Sequence, residues 1–251
     1  MTDWGFWQAS WDEQQESYLP DREERLAAML DAVEGVVGSA PRVLDLGCGP
    51  ASITTRVLAR FPSATVVGVD VDPVLLAIAR GVHAADGRVS FVAADLREPD
   101  WAQAVPHEKG FDAVLTATAL HWLAEPDLTR LYADLARLVR AGGIYCNADH
   151  MPLVGAPRLS AAVNAATVRL QEQARAASGA LDWDSWWAAA AAEPALAELM
   201  IERGGLFEGT GHPVEFTPPA TWHVTRLRHG GFAEAAVIWR DRADGVIAAV
   251  R

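Results

Sequence analysis

The stretch Val43-Leu44-Asp45-Leu46-Gly47-Cys48-Gly49-Pro50-Ala51 constrains this chain more than any other. A short apolar run with one carboxylate ends in two glycines around a small residue, and a helical pattern begins after the proline. That order describes a buried parallel strand turning tightly into a helix. Gly47 and Gly49 carry no β-carbon, so the turn can take unusual backbone angles and a ligand can lie directly against the main chain.

Strand–helix units repeat around this turn. A helix from Asp21, read as its N-cap, runs to Val37 with Leu26, Met29, Leu30 and Val33 on one face. Strand Val43–Leu46 leads to helix Ser52–Arg60, and strand Thr65–Val69 ends at Asp70. Pro73 opens a helix reaching Ala84, and strand Val89–Ala93 ends at Asp95. Strand Phe111–Thr116 leads to Ala119-Leu120-His121-Trp122. Helix Pro126–Arg140 is ended by Gly142-Gly143, and strand Ile144–Ala148 follows. Uninterrupted apolar strands in such units mean a mostly parallel sheet covered on both faces. Residues 151–220 break the rhythm with helices over Leu159–Ala177 and Ala195–Arg203. Between these helices lie Trp183, Trp186, Trp187 and an alanine run. A loop rich in glycine and proline follows, with Gly204-Gly205, Gly209, Gly211, Pro213, Pro218 and Pro219. Helix Ala220–Arg228, closed by Gly230-Gly231, precedes a hairpin of Ala233–Arg240 and Val246–Val250. The expected organisation is an N-terminal aromatic segment and helix (1–40), a core (41–150), a cap insertion (151–220), and the last helix and hairpin of the core (221–251). The fold class is α/β, with helices on both faces of a seven-stranded sheet that ends in an antiparallel hairpin.

The formal net charge of -12 argues against a nucleic-acid surface, which needs clustered Lys and Arg. Cys48 and Cys146 form no metal-ligand spacing, and so few cysteines suit a reducing compartment. No run is long and apolar enough to span a bilayer, and Met1-Thr2-Asp3-Trp4 does not read as a signal peptide. The expectation is a cytoplasmic protein, monomer or homodimer, with no membrane, nucleic-acid or metal partner.

In an open parallel sheet, ligands bind beyond the carboxyl ends of the strands. Asp70 stands about 20 positions beyond the glycine turn, where a carboxylate accepts hydrogen bonds from ribose hydroxyls. Asp95-Leu96 ends the third strand and can receive an adenine amino group. A dinucleotide turn aims free N–H groups at pyrophosphate, and Pro50 removes one of them. An oxidoreductase is disfavoured on that ground.

Five elements in order resemble the class I S-adenosylmethionine-dependent methyltransferases: Val43–Ala51, Val66-Val67-Gly68-Val69-Asp70, Ala93-Ala94-Asp95-Leu96, Phe111-Asp112-Ala113-Val114 and Gly142-Gly143. The resemblance implies a Rossmann-like core and S-adenosyl-L-methionine as cofactor. It places Asp45, Gly47, Cys48, Gly49, Asp70, Val71, Asp95, Leu96 and Thr116 around that cofactor. Ala51 stands where many members have a third glycine. The implied reaction is in-line transfer of a methyl group, driven by proximity and exclusion of water.

His121, after the fourth strand, and His150, after the fifth, are the candidate catalytic residues. Trp7, Trp11, Tyr18, Trp122 and Trp186 are candidate substrate contacts. The aromatic N-terminus reads either as a strap on the protein body or as a flap over a site. Aromatic content suggests a small apolar or aromatic acceptor, with O-methylation favoured. Tyr18-Leu19-Pro20 and Ala119–Leu123 also resemble trans-aconitate-type carboxylate methyltransferases, for which Arg22 and Arg25 could pair the substrate. A non-catalytic S-adenosylmethionine-binding protein would share every cofactor residue. A protein or RNA methyltransferase would be expected to show a basic docking surface, which this acidic chain does not suggest.

Overall fold

The computed structural model describes residues 2–106, 108–207 and 215–251. Among them seven strands form one sheet, ordered β3-β2-β1-β4-β5-β7-β6. The strands are β1 (Arg42–Leu46), β2 (Thr65–Asp70), β3 (Val89–Ala93), β4 (Phe111–Ala117), β5 (Val139–His150), β6 (Glu234–Asp241) and β7 (Asp244–Val250). β1 to β5 are parallel, and β7 pairs antiparallel with both β5 and β6. The strand order reverses between β1 and β4, so the crevice of the sheet opens at the glycine turn.

Period-2 alternation sends neighbouring strand residues to opposite faces. Val43, Ala113, Leu115, Ile144 and Cys146 meet α2 (Arg22–Val37) and α3 (Ser52–Arg60) through Leu26, Met29, Val33, Val57 and Phe61. Leu44, Val114, Tyr145 and Ile247 meet α5 (Glu125–Leu138) and α9 (Ala220–Gly230) through Leu131, Tyr132, Leu135 and Leu227. A third cluster joins α1 (Trp4–Tyr18), α4 (Pro73–Val82), α7 (Trp183–Ala192) and the start of α8 (Ala197–Phe207), with Trp7, Leu75, Ile78, Trp186 and Leu196 at its centre. α6 (Pro157–Ser178) packs along α1 and is tied to it by Gln171 Nε2 donating to the Tyr18 carbonyl at 2.7 Å. No helix among the described residues is long and apolar enough to cross a membrane.

Several expectations are corrected. The helix expected to reach Arg140 ends at Leu138, and β5 starts at Val139. Gly142 and Gly143 therefore lie inside the strand. Phe111 pairs with Val139, the register shifts, and Ala113 pairs with Ile144. Gly142, at φ 73°, lies in this irregular part of the strand. Gly204 and Gly205 were expected in a loop and lie within α8. Gly209, Gly211 and Pro213 of that loop fall outside the described residues. Asp21 stands at the N-cap of α2 but makes no side-chain cap bond. Its carboxylate accepts from Arg25 Nη2 at 2.6 Å instead.

That ion pair belongs to a buried set. Arg25 also reaches Asp244 Oδ2 at 3.1 Å, which ties α2 to the β6–β7 hairpin. Burial pushes the Asp244 carboxyl up, but His150 and Arg25 outweigh it and hold it below its ordinary value. Arg25→Ala would take the nearest cation from two buried carboxylates, leaving Asp244 to His150 at 3.2 Å and Asp21 to Arg242 at 3.5 Å, and is expected to destabilise the protein by about 3–5 kcal/mol in urea unfolding. A loss within 1 kcal/mol would mean that the network holds nothing together.

Candidate functional site

The site begins at the turn between β1 and α3. Gly47 has φ 62° and Gly49 has φ 52°. A β-carbon built on Gly47 would stand 2.4 Å from the Ala119 β-carbon, in the loop after β4. The turn is closed by Cys48 N–H donating to the Val69 carbonyl at 3.0 Å and Ala51 N–H to the Cys48 carbonyl at 2.9 Å. The Cys48 sulfur packs over Gly68 of β2, and burial pushes its thiol far up. Ala51, at φ 73°, serves as the backbone N-cap of α3. It takes the left-handed angle that a glycine would hold more cheaply.

Asp45 lies under the start of α3. Its Oδ2 accepts from Thr54 N at 3.0 Å and Thr54 Oγ1 at 2.7 Å, while its Oδ1 is buried with no hydrogen-bond partner among the described residues. Burial drives its carboxyl up to about 7, against the pull of the Thr54 bonds. Asp70, at the tip of β2, accepts Gly49 N–H at 2.7 Å and Asp72 N–H at 2.9 Å, and burial raises it to about 6. Val71 follows, half-buried. Ala94 N–H donates to the Asp70 carbonyl at 3.0 Å, which sets the tip of β3 beside that of β2. Asp95 is therefore close, but Arg97 Nε and Nη2 already hold its carboxylate at 2.6 to 2.9 Å. Burial works upward on Asp95, and the Arg97 bonds overcome it and lower the carboxyl. Leu96 packs partly buried on the α5 face. Trp101 lies in that same core and donates to Asp134 at 3.2 Å.

Across the crevice, the loop after β4 carries the second half of the site. Thr118 has φ 50°, strained for a β-branched residue, and its N–H donates to the Ala148 carbonyl at 2.9 Å. His121 Nδ1 bonds Asp149 Oδ1 at 2.8 Å, which leaves Nε2 as the other ring nitrogen. Burial would depress the His121 pKa, but the buried Asp149 charge outweighs it and raises it. Trp122 is exposed, its ring 4.9 Å from that of His121. Thr116 and Asn147 pair across β4 and β5 on the Asp149 face. Both are buried, with side-chain polar atoms unpartnered among the described residues.

The structure separates the two candidate histidines. His150 is exposed and bonds Asp244 at 3.2 Å on the α2 face, opposite to Asp149. The candidate aromatic contacts pack on one another. Trp7 and Trp186 are buried, packed edge to face at 5.6 Å, and Trp11 closes on Trp186 at 4.9 Å. These rings, expected as substrate contacts, are the mortar between α1 and α7. Tyr18 is spent on the same joint, its hydroxyl accepting from Trp183 N at 3.1 Å. Arg22 and Arg25 are held by Asp12 at 2.9 Å and by Asp21 and Asp244. What α1 offers the turn is Gln8, whose Nε2 donates to the Pro50 carbonyl at 2.7 Å. Sequence reasoning missed Gln8 and Asp72. The pair Asp72-Pro73 is a readable helix-start signal, and Asp72 does cap α4, accepting from Val74 and Leu75 N–H. Gln8 gives no signal.

A bare glycine turn, acidic tips on β1 and β2 and a switch point between β1 and β4 define a nucleoside-cofactor α/β fold. The methyltransferase-domain family matches residues 43–143. Trans-aconitate 2-methyltransferase of Methylobacterium radiotolerans is 33% identical over 226 residues, covering 88% of this chain and 74% of that protein. The enzyme of the same name from Azoarcus sp. strain BH72 is 38% identical over 136 residues, 54% of this chain and 49% of that protein. The chain spans about half the length of several curated relatives that it matches. Human N-acetylserotonin methyltransferase in complex with its methyl donor shares the fold, with a TM-score of 0.56 at 16% identity, covering 99% of this chain and 55% of that one. The chain belongs to the class I S-adenosylmethionine-dependent methyltransferases.

The residues present fit that cofactor. Asp45 keeps a buried oxygen without a partner, and the turn is bare of side chain where Gly47 meets Ala119. Gly47→Ala is expected to abolish S-adenosylmethionine binding in calorimetry and to lower the melting temperature by several degrees. Its methyl group has no room, and its φ is strained. Unchanged binding would mean that the turn is not the seat of the cofactor.

Proposed function

We propose that this chain methylates an oxygen of a small molecule, and that His121 takes the proton from a hydroxyl acceptor. The His121–Asp149 pair carries this reading. Asp149 fixes one ring nitrogen and raises the basicity of the other, the arrangement a general base needs. S-adenosylmethionine, when bound, supplies an electrophilic methyl on a sulfonium. Asp70 would accept from the ribose hydroxyls, Asp45 would act toward the amino group, and Gly47 and Gly49 would leave the main chain open to contact. Ala119 sits against Gly47, and His121 follows two residues later, so the base and the cofactor turn share one wall of the crevice. Trp122, its ring 4.9 Å from that of His121, would cover an acceptor at that wall.

A second reading, methylation of a carboxylate, is favoured by the similarity to trans-aconitate 2-methyltransferases. A carboxylate needs a cation rather than a base. Arg22, Arg25, Arg97 and Arg203 all hold carboxylates of this chain, which supports the hydroxyl. The two readings differ in sign with pH. A base must be neutral, so kcat/KM for phenols or alcohols is expected to rise through a His121 pKa above 6.5. Asp149→Asn is expected to move that limb downward, and His121→Ala to cost about 10²- to 10⁴-fold in kcat. If trans-aconitate is the acceptor and His121 binds it as imidazolium, kcat/KM falls over the same window.

Cofactor affinity has its own pH dependence. Asp45 and Asp70 hold protons more tightly folded than unfolded, so the cofactor-free protein loses stability as pH rises from about 4 toward 7. The bound amino group and ribose favour the ionised forms. Affinity is therefore expected to rise roughly 10- to 100-fold between pH 5.5 and 7.5 in calorimetry. A flat profile would remove both carboxylates from the cofactor site.

A further inference from the structure

We propose that Arg203 is a positioning residue for the cofactor, through which helix α8 holds the Asp70 carboxylate in place. The inference rests on the reading of Asp70 as the partner of the ribose. Arg203 Nε donates to Asp72 Oδ2 at 2.6 Å. Its guanidinium lies 3.6 Å from the centre of the Trp187 ring and 4.9 Å from that of Phe207. Stacking on two rings fixes a long side chain that is only partly exposed, so little freedom remains to be lost in the ion pair.

Asp72 is the link. Its other oxygen caps α4, and its own N–H donates to Asp70 Oδ1 at 2.9 Å. Asp70 Oδ2 accepts the Gly49 N–H at 2.7 Å. A continuous line thus runs from α8 through Asp72 and Asp70 to the glycine turn. The line also carries charge: the Asp72 carboxylate is one of the influences that push Asp70 toward its protonated form, and Arg203 stands against it. Without Arg203, the residue 70–72 corner loses its outer support and Asp72 loses its counter-charge. Beyond α8 the chain returns at Phe216, whose N–H donates to the His121 carbonyl at 2.9 Å. One stretch of chain therefore touches both ends of the crevice.

The test is calorimetric titration of S-adenosylmethionine and S-adenosylhomocysteine into wild-type protein, Arg203→Ala, Arg203→Lys and Asp70→Asn, with melting temperatures measured alongside. Arg203→Ala is expected to weaken both ligands roughly 5- to 50-fold, the range of coupling between adjoining sites. Arg203→Lys, which can still reach Asp72, is expected to recover most of that loss. Asp70→Asn is expected to weaken binding by about tenfold or more. Weak binding by Asp70→Asn with unchanged binding by Arg203→Ala overturns the inference and leaves the cofactor reading standing. Equal losses for alanine and lysine, tracking the fall in melting temperature, also overturn it, since packing on Trp187 alone would explain them. Unchanged binding by Asp70→Asn sinks the cofactor reading itself.

Discussion

Gly47 and Ala119 touch where one added methyl group would not fit. The contact joins the turn after β1 to the loop after β4, on the two strands between which the sheet reverses its order. The two halves of the proposed site meet at those two segments. Gly49 receives Asp70 on one side, and His121 follows Ala119 on the other. The positive φ of Thr118 is strain stored at this junction, held by its bond to the Ala148 carbonyl. A looser junction would leave the base and the cofactor turn to find each other, and angstrom-scale misplacement is costly in a reaction driven by alignment.

Strand alternation then sends the two candidate histidines to different partners. Asp149 and His150 are neighbours in sequence, and β5 turns them to opposite faces. Asp149 joins Thr116 and Asn147 on the α5 face and holds His121, which comes from the loop after β4. His150 joins Arg25 and Asp244 in the ion cluster under α2. A one-residue slip of β5 would exchange their roles.

The same logic explains what could be read in advance. Strands β1 to β4 and helices α3 and α4 are written in local patterns: apolar runs, a glycine turn, and proline at the first helical position. The structure places them within a few residues of expectation. The carboxylates at the strand tips were legible for the same reason, because a strand's end is fixed by its own sequence. The tryptophans were not. Trp7, Trp11 and Trp186 are equally suited to lining a pocket or to bonding two helices, and only the docking of α1 on α7, far apart in the chain, decides for the core. Asp21 and Arg203 failed for the same reason. One looked like a cap and became a buried counter-ion; the other was read only as the end of a helix and reaches Asp72 across 131 positions. Gly142-Gly143 shows a subtler limit. Glycines that stop a helix and glycines that ease a strand through a register shift look alike until the pairing with β4 is known.

The electrostatics of the turn oppose the fold that carries it. Keeping Asp45 near 7 rather than 3.8 costs on the order of 4 kcal/mol at neutral pH, a large share of a domain's whole stability. A hydrophobic residue at position 45 would satisfy the core, since Asp45 is itself fully buried and so is Val43, two positions back on the same face of the strand. A carboxylate there makes sense only if something repays its desolvation, and the two bonds from Thr54 engage one oxygen alone. Asp70 repeats the pattern more mildly, with both oxygens held by backbone N–H groups and its carboxyl still raised to about 6. A fully buried acid and a half-buried one, flanking a bare turn, are therefore under-compensated by the protein itself. On the proposed reading, a ligand bringing a cationic amine and a pair of hydroxyl donors would supply what they lack, and their desolvation would be returned as affinity for the cofactor.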